Sequence, residues 1–379
     1  MLSQDLINAE FPLDPSLIYL NHAAVSPWPA RTQSAVTRFA NENTHFGATN
    51  YLEWLKIEEN LKLQLSRLIN APCANDIALL KNTSEALSFV AAGLKWHSGD
   101  NIVISNQEFP SNKIVWQQLQ HQGVELREVD LNKDSSPEAA LISAIDNKTR
   151  LLSISSVQYA SGLRTNLNQL GDFCRKRQVL FCVDAIQSLG ALEFDVDAIQ
   201  ADFVMADTHK WMLGPEGIAL FYCREEIREQ LELTEFGWHM VEDMHNFTQE
   251  SWQVASSARR FECGSPNMLG IHAANASISL LLEVGLAKIE SAILERAQFT
   301  VDCIKATENL ELISSTDPRH LSGIVTFRST KVASESLYQS LMKNKVICAN
   351  RGGGIRFSPH FYTSKDLIND AVQLSNQSD

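Results

Sequence analysis

Phe203-Val204-Met205-Ala206-Asp207-Thr208-His209-Lys210-Trp211, followed by Gly214-Pro215-Glu216-Gly217, is the stretch on which the reading of this chain turns. An apolar run of strand length meets a lysine and then a Gly-Pro turn, which ends a strand and does not continue a helix. A lysine fixed at a strand end beside His209 and Trp211 is a candidate for partial desolvation. Burial lowers the pKa of an amine, and the neutral amine is the form that attacks a carbonyl to give an imine. On these residues alone a solvated surface lysine beside a turn is the more ordinary reading. The rest of the chain weighs between them.

Short β-like runs recur at Ile77 to Leu80, Ile102 to Ser105, Val124 to Val129, Leu151 to Ser155 and Val179 to Val183, alternating with longer helical segments. That alternation predicts an α/β fold with a mostly parallel sheet covered by helices. Gly217 to Tyr222 follows Phe203 to Ala206 too closely for a helical crossover, so this pair is expected to be antiparallel. A helical stretch from Met268 to about Asn309 leads into a second unit, with strands near Gly323 to Phe327 and Ile355 to Phe357 and a terminal helix from Ser364 to Leu374. The expected division is an N-terminal arm (1–18), a large domain (19–260) and a small C-terminal domain (261–379) that includes the long connecting helix.

With 379 residues the chain can bury a substantial core, and 44% hydrophobic with 20% charged residues is ordinary globular composition. A formal charge of −13 argues against nucleic acid or an anionic membrane as partner. No stretch reaches the length of an apolar membrane span, and Met1 to Phe11 lacks the apolar core of a signal peptide, so a cytoplasmic protein is expected. The seven cysteines, with no Cys-x-x-Cys pair, read as reduced buried thiols. No His-Glu-x-x-His or histidine–cysteine cluster suggests a metal, and no Walker-type loop or Gly-x-Gly-x-x-Gly suggests a nucleotide.

In parallel sheets, ligands bind beyond the carboxyl ends of the strands. Five polar segments lie just there: Asn82-Thr83-Ser84, Glu108-Phe109-Pro110-Ser111-Asn112, Gln158-Tyr159-Ala160-Ser161-Gly162, Asp184-Ala185-Ile186-Gln187 and Asp207-Thr208-His209-Lys210. They are expected to converge on one cleft. Thr83 and Ser84 open a helix whose free N–H groups and dipole suit a phosphate, or else simply cap it. Asp184 is suited to a protonated pyridine nitrogen, or equally to helix capping; Gln187, one turn on, could reach a phenolic oxygen. Phe109 either stacks on a flat cofactor or packs in the core, and Gln158 bonds either a cofactor oxygen or backbone. Arg356, after the glycine run Gly352-Gly353-Gly354, offers a fork for an α-carboxylate or forms a surface pair.

Taken in order, Tyr19-Leu20-Asn21-His22-Ala23-Ala24, Asn82-Thr83-Ser84-Glu85-Ala86, Glu108-Phe109-Pro110, Val183-Asp184-Ala185-Ile186-Gln187, Asp207-Thr208-His209-Lys210, Gly237-Trp238, Phe261-Glu262-Cys263-Gly264-Ser265-Pro266-Asn267 and Arg356 with Ser358-Pro359-His360 resemble aminotransferase class V. That pyridoxal-phosphate group also holds cysteine desulfurases, kynureninase and isopenicillin N epimerase-like enzymes. The resemblance implies the type I aspartate aminotransferase-like fold and a pyridoxal 5'-phosphate imine on Lys210. It puts Asp184 on the ring nitrogen, Gln187 and Gln158 near the phenolic oxygen, and Phe109 in the stacking position. Thr83, Ser84 and His209 would hold the phosphate, with Ser265 reaching in from the second subunit of a homodimer. Arg356 would bind the carboxylate of an amino-acid substrate, with Asn21, His22 and Trp238 as further substrate contacts.

Two departures bear on the reaction. Cysteine desulfurases carry a nucleophilic cysteine in a mobile loop ahead of the arginine, whereas here only Cys348 is near, as a strand residue, and Asn350 to Ile355 is a short connection. They also stack a histidine where this chain has Phe109. Kynureninase-like sequence continues Thr-Asp where this chain has Ser111-Asn112. The expectation is therefore an aminotransferase with Lys210 as the base at Cα. A cysteine desulfurase or selenocysteine lyase-like or other β-lyase, an epimerase, and a non-catalytic cofactor-binding protein are the alternatives.

Overall fold

The computed structural model describes residues 4–377; the first three residues of the expected N-terminal arm and the last two of the C-terminal unit lie outside the described residues. Its strands are Ile18–Tyr19 (β1), Ile77–Leu80 (β2), Asn101–Ser105 (β3), Glu125–Val129 (β4), Thr149–Ser155 (β5), Leu180–Asp184 (β6), Phe203–Asp207 (β7) and Ala219–Cys223 (β8), then Leu310–Leu312 (β9), Val325–Ser329 (β10), Val346–Ile347 (β11), Ala349–Arg351 (β12) and Gly354–Phe357 (β13).

Seven of them form one sheet in the order β2-β8-β7-β6-β5-β3-β4. The pairs joining β4, β3, β5, β6 and β7 are parallel, while β7–β8 and β2–β8 are antiparallel, as the short link after Phe203 to Ala206 required. Strands β3 and β6 are buried almost end to end, because helices cover both faces. Alternate residues feed two cores. Val103, Leu152, Ile154, Val183 and Val204 pack with the helices Tyr51–Leu68 and Met268–Val284, and Ile102, Ile104, Leu151, Cys182 and Met205 pack with the helix Thr83–Gly93. The chain reverses its direction of travel across the sheet between β3 and β5, which opens a crevice at their carboxyl ends.

The single helix expected from Met268 to Asn309 is two, Met268–Val284 and Leu286–Lys305. Gly285, at φ 90°, breaks them; a residue with a Cβ is strained there. Ile271, Ala274, Ile278 and Leu281 of the first helix belong to the large core, whereas Ala297, Val301 and Ile304 of the second join a third core with β10, β13 and Leu20. Strands β9, β11 and β12, and the pairing of β1 with β11, were not read from the sequence. Among the described residues, no helix is long and apolar enough to cross a membrane. The expectation of buried thiols is corrected for Cys73, which is exposed, and for Cys263 and Cys303, which are partly so.

Candidate active site

The five polar segments do converge. Thr83, Ser84, Phe109, Ser111, Tyr159, Asp184, Ile186, Gln187, Asp207, His209 and Lys210 line one cavity of about 280 Å³, closed by Ala23 to Val25, Glu216, Arg351 and Arg356. Lys210 sits on the tight turn after β7, where Leu213 N–H donates to the Lys210 carbonyl (3.0 Å) and Gly214 N–H to that of Thr208 (2.8 Å). Its ammonium lies 5.7 Å from the centroid of the Phe109 ring and has no ion pair with a carboxylate among the described residues. Burial pushes the Lys210 pKa down to about 8, with Arg356 adding to the effect and Asp184 opposing it. That shift brings the amine closer to the neutral state that imine chemistry needs.

Asp184 closes β6 with 2% of its surface exposed. Burial pushes its carboxyl up to about 7, the N–H of Ile186 opposes that, and the charge of Glu108 reinforces it. An unpaired carboxylate is expensive here, and a protonated ring nitrogen is the kind of group that would offset it. Glu108 lies behind Phe109 and accepts from Ser155 N–H and Oγ, Asn112 Nδ2 and Gln158 Nε2. Gln187 is oriented by two bonds: its Oε1 accepts from Trp211 Nε1 (2.9 Å), and its Nε2 donates to the Ala23 carbonyl (3.0 Å).

The phosphate reading needs correction at Thr83. Asn82, not Thr83 or Ser84, caps the helix Thr83–Gly93 by accepting from Glu85 N–H. Thr83 N–H and Oγ1 both donate to the Asp207 carboxylate, so these donors are spent on an internal anion. Ser84 Oγ, bonded to Ser111 Oγ at 2.8 Å, and His209 remain. His209 Nδ1 is buried without a hydrogen-bond partner, 3.4 Å from Asp207 Oδ2, and burial holds the ring down to about 4.

Four other expected contacts lie elsewhere in this chain. Gln158 is fully buried and gives its amide to Glu108, beneath the cavity and not in its wall. His22 is corrected from a substrate contact to a structural residue, since its Nδ1 meets the Ser358 carbonyl and its Nε2 the Tyr362 hydroxyl. Asn21 bridges to Ser358 with its Oδ1 buried and unpartnered. Trp238 lines a separate apolar hollow with Phe236, Phe247 and Trp252. Ser265, expected to serve the site of a second subunit, lines a different hollow with Lys81, Glu85 and Cys263.

Tyr159, Glu216 and Arg351 line the cavity but were not singled out as site residues. Arg351 had a signal: two glycines that follow it before a strand mark a tight hairpin. Elsewhere, Glu58, His239 and Glu262 converge in a way that could ligate a metal. Lys62 Nζ already lies there, 2.8 Å from Glu262 and 3.2 Å from Glu58, and neutralises them.

The family model for aminotransferase class V matches residues 18–363. The chain belongs to that family. It is 28% identical over 386 residues to a probable cysteine desulfurase of Methanothermobacter thermautotrophicus, covering 96% of this chain and 94% of the relative. Its fold is that of the cysteine desulfurase of Thermococcus onnurineus, with a TM-score of 0.90 and 23% identity over 100% of this chain and 98% of the other. It is also similar to the cystine C–S lyase C-DES in complex with its product cysteine persulfide, with a TM-score of 0.90 and 22% identity over 97% and 99% of the two chains. The class V fold is thus the type I architecture expected from the sequence. The class V cofactor is pyridoxal phosphate, and the cavity fits it. A depressed lysine, a carboxylate raised by burial, an orphaned His209 nitrogen and an orphaned Arg356 Nε all await polar or charged partners.

Proposed function

We propose that this chain is a pyridoxal-phosphate-dependent carbon–sulfur β-lyase acting on a sulfur-containing amino acid. The family's relatives named for cysteine desulfuration favour sulfur chemistry over the transamination expected from the sequence. One observation narrows the reading: none of the seven cysteines lines the Lys210 cavity. Cys348 is buried between β11 and β12, burial pushes its thiol up to about 12, and the connection to Arg356 is a tight hairpin with no room for a mobile loop. Without a thiolate in the cavity to accept sulfur, the sulfur leaves on a small molecule.

Lys210, Asp184, Gln187, His209, Ser84 and Phe109 would hold the cofactor. When bound, it supplies an electron sink for the pair released at Cα. Arg356, 2% exposed, holds the substrate α-carboxylate and so fixes which Cα bond faces Lys210. The Lys210 amine takes the Cα proton. Loss of that proton and of the Cβ–S bond, whose electron pair leaves with sulfur, together with uptake of one water, would give pyruvate and ammonia. Phe109 would stack on the cofactor ring, and Asp184 would keep its nitrogen charged.

The test is product analysis with cysteine and cystine, scoring pyruvate, ammonia, alanine and released sulfur separately. Pyruvate and ammonia equimolar with sulfur support the lyase. Alanine with sulfur would make it a desulfurase; amination of an added keto acid without sulfur release would make it an aminotransferase. Cofactor uptake with no product from any amino acid would leave a binding protein.

A further inference from the structure

Arg351 and Arg356 both line the Lys210 cavity, and neither forms an ion pair with a carboxylate among the described residues. Some other arginines of this chain are ion-paired, Arg31 with Glu10, Arg164 with Glu290 and Arg228 with Asp76 among them, while Arg259, Arg260 and Arg296 are held by backbone carbonyls. The hairpin explains how two unmatched guanidiniums come together. Strands β12 and β13 pair Arg351 with Gly354, Asn350 with Ile355 and Ala349 with Arg356. The turn between them is Gly352-Gly353, with φ of 61° and 80°, both positive as a two-residue type I′ turn requires.

Cross-strand partners point to the same side, and residues two apart on a strand share a face. Arg351 is two residues from Ala349, the partner of Arg356, so both arginines project from one face as diagonal neighbours. Such neighbours have backbones roughly 7–8 Å apart, within reach of two long side chains. The two differ in setting. Arg356 is buried, gives Nη1 to the Tyr159 carbonyl (2.7 Å) and keeps Nε unpartnered. Arg351 is exposed at the rim and gives one Nη1 bond to the Asn350 carbonyl (3.0 Å), leaving most of its fork free. The carboxylates that also line the cavity do not pair with them: Asp184 lies at the foot of the cavity, Asp207 holds Thr83, and Glu216 has no ion pair.

We propose that the substrate is an amino acid with a second anionic group at the far end of its side chain, with Arg356 taking the α-carboxylate and Arg351 the distal anion. This rests on the reading of the Lys210 cavity as an amino-acid site. Two sources share that chemistry: a side-chain acid, as in cysteine sulfinate, for which aspartate is a sulfur-free binding probe, and the second carboxylate of a disulfide-linked pair, as in cystine. The short hairpin that removes room for a nucleophilic loop is the same feature that brings Arg351 to the rim.

The test uses the holoenzyme and follows the cofactor's visible absorbance as alanine, cysteine, aspartate, cysteine sulfinate and cystine are titrated in. The dianionic probes should bind about 10- to 100-fold more tightly than the monoanionic ones, the range one charge-assisted hydrogen bond supplies. The Arg351→Ala variant should shrink that ratio at least about tenfold, and Arg351→Lys should retain part of it, since a point charge replaces a fork. Tight binding by cystine alone identifies the disulfide source; aspartate or sulfinate binding identifies the side-chain acid. Equal affinity for all probes, or an Arg351→Ala loss that falls equally on alanine and on the dianions, overturns the inference while leaving the amino-acid site intact. Absence of any response to any amino acid overturns the site reading as well.

Discussion

Trp211 Nε1 donates a 2.9 Å hydrogen bond to Gln187 Oε1, and that bond decides which way the amide faces. An indole nitrogen is only a donor, so it must meet the amide oxygen. The Gln187 nitrogen then gives one N–H to the Ala23 carbonyl and keeps the other for the cavity that Gln187 lines. Trp211, adjacent to Lys210 but fully buried, is therefore the residue that orients Gln187, and under the proposed function it would position that amide for a cofactor oxygen.

Replacing Trp211 with Phe keeps a buried aromatic and removes the donor. The pH at which the Lys210 imine absorbance titrates should then move by up to about one unit, since a net hydrogen bond of about 1 kcal/mol corresponds to most of a pKa unit. Coupling to Gln187 is read from a double variant. In a Gln187→Ala background the Trp211→Phe change should no longer shift the titration, and a shift of full size there would show that Trp211 acts by another route.

The depressed Lys210 pKa makes a kinetic prediction for the cofactor-free protein. With a pKa of about 8, roughly a tenth of the amine is neutral at pH 7, against about 0.03% at the usual 10.5. The rate of cofactor uptake should therefore rise with pH and level off near pH 8, not near 10.5. Stability follows the same sign. Between about pH 8 and 10.5 the unfolded chain still binds the proton that folded Lys210 has lost, so this residue's contribution to stability rises with pH across that window. An uptake rate still climbing steeply at pH 10 would show that the amine is not desolvated.

Most of this site was legible because α/β architecture puts function at strand ends. The runs before Asp184 and Lys210 are continuous apolar strands, and their polar termini had to meet in one crevice. What escaped has local causes. Gln158 and His22 carry polar groups suited to a ligand, yet tertiary packing spends them on Glu108 and on Ser358 with Tyr362. Thr83 was read as a phosphate donor because the helix start is visible in sequence, whereas the Asp207 carboxylate that occupies it comes from a strand 124 residues away. Arg351 escaped because its glycines mark only the turn, whereas the register of the two strands is what puts it beside Arg356.

Glu108 supplies a third prediction. Its two oxygens accept from Ser155, Asn112 and Gln158, so Glu108→Gln turns an amide N–H₂ toward groups that donate in the parent, of which the Ser155 hydroxyl and the Gln158 amide would have to turn over to accept. The cost should be about 1–3 kcal/mol of stability. The same change removes a negative charge that pushes Asp184 up, so Asp184 should stay ionised to lower pH. Chemical denaturation measures the first effect and the pH dependence of the cofactor spectrum the second; a variant as stable as the parent would show that the surrounding groups turn over to accept the new N–H groups.

Gly190 tests how rigidly the lysine segment is held. It has φ 91°, and a Cβ there would lie 2.3 Å from the Trp211 carbonyl oxygen and 2.8 Å from the Met212 nitrogen. Both are backbone atoms, one and two residues beyond Lys210, and neither can move aside without shifting the turn that carries the amine. Strained backbone and overlap together put Gly190→Ala at roughly 3 kcal/mol or more of lost stability. Because the displaced peptide is that of Trp211, the folded fraction should also bind pyridoxal phosphate more weakly and lose the Gln187 orientation. Gly353→Ala is the control: it has φ 80° but no atom within 4 Å of the added Cβ, so it carries the conformational strain without the collision. If the two variants lose equal stability and cofactor affinity, the contact between Gly190 and the lysine turn is not what holds Lys210 in place.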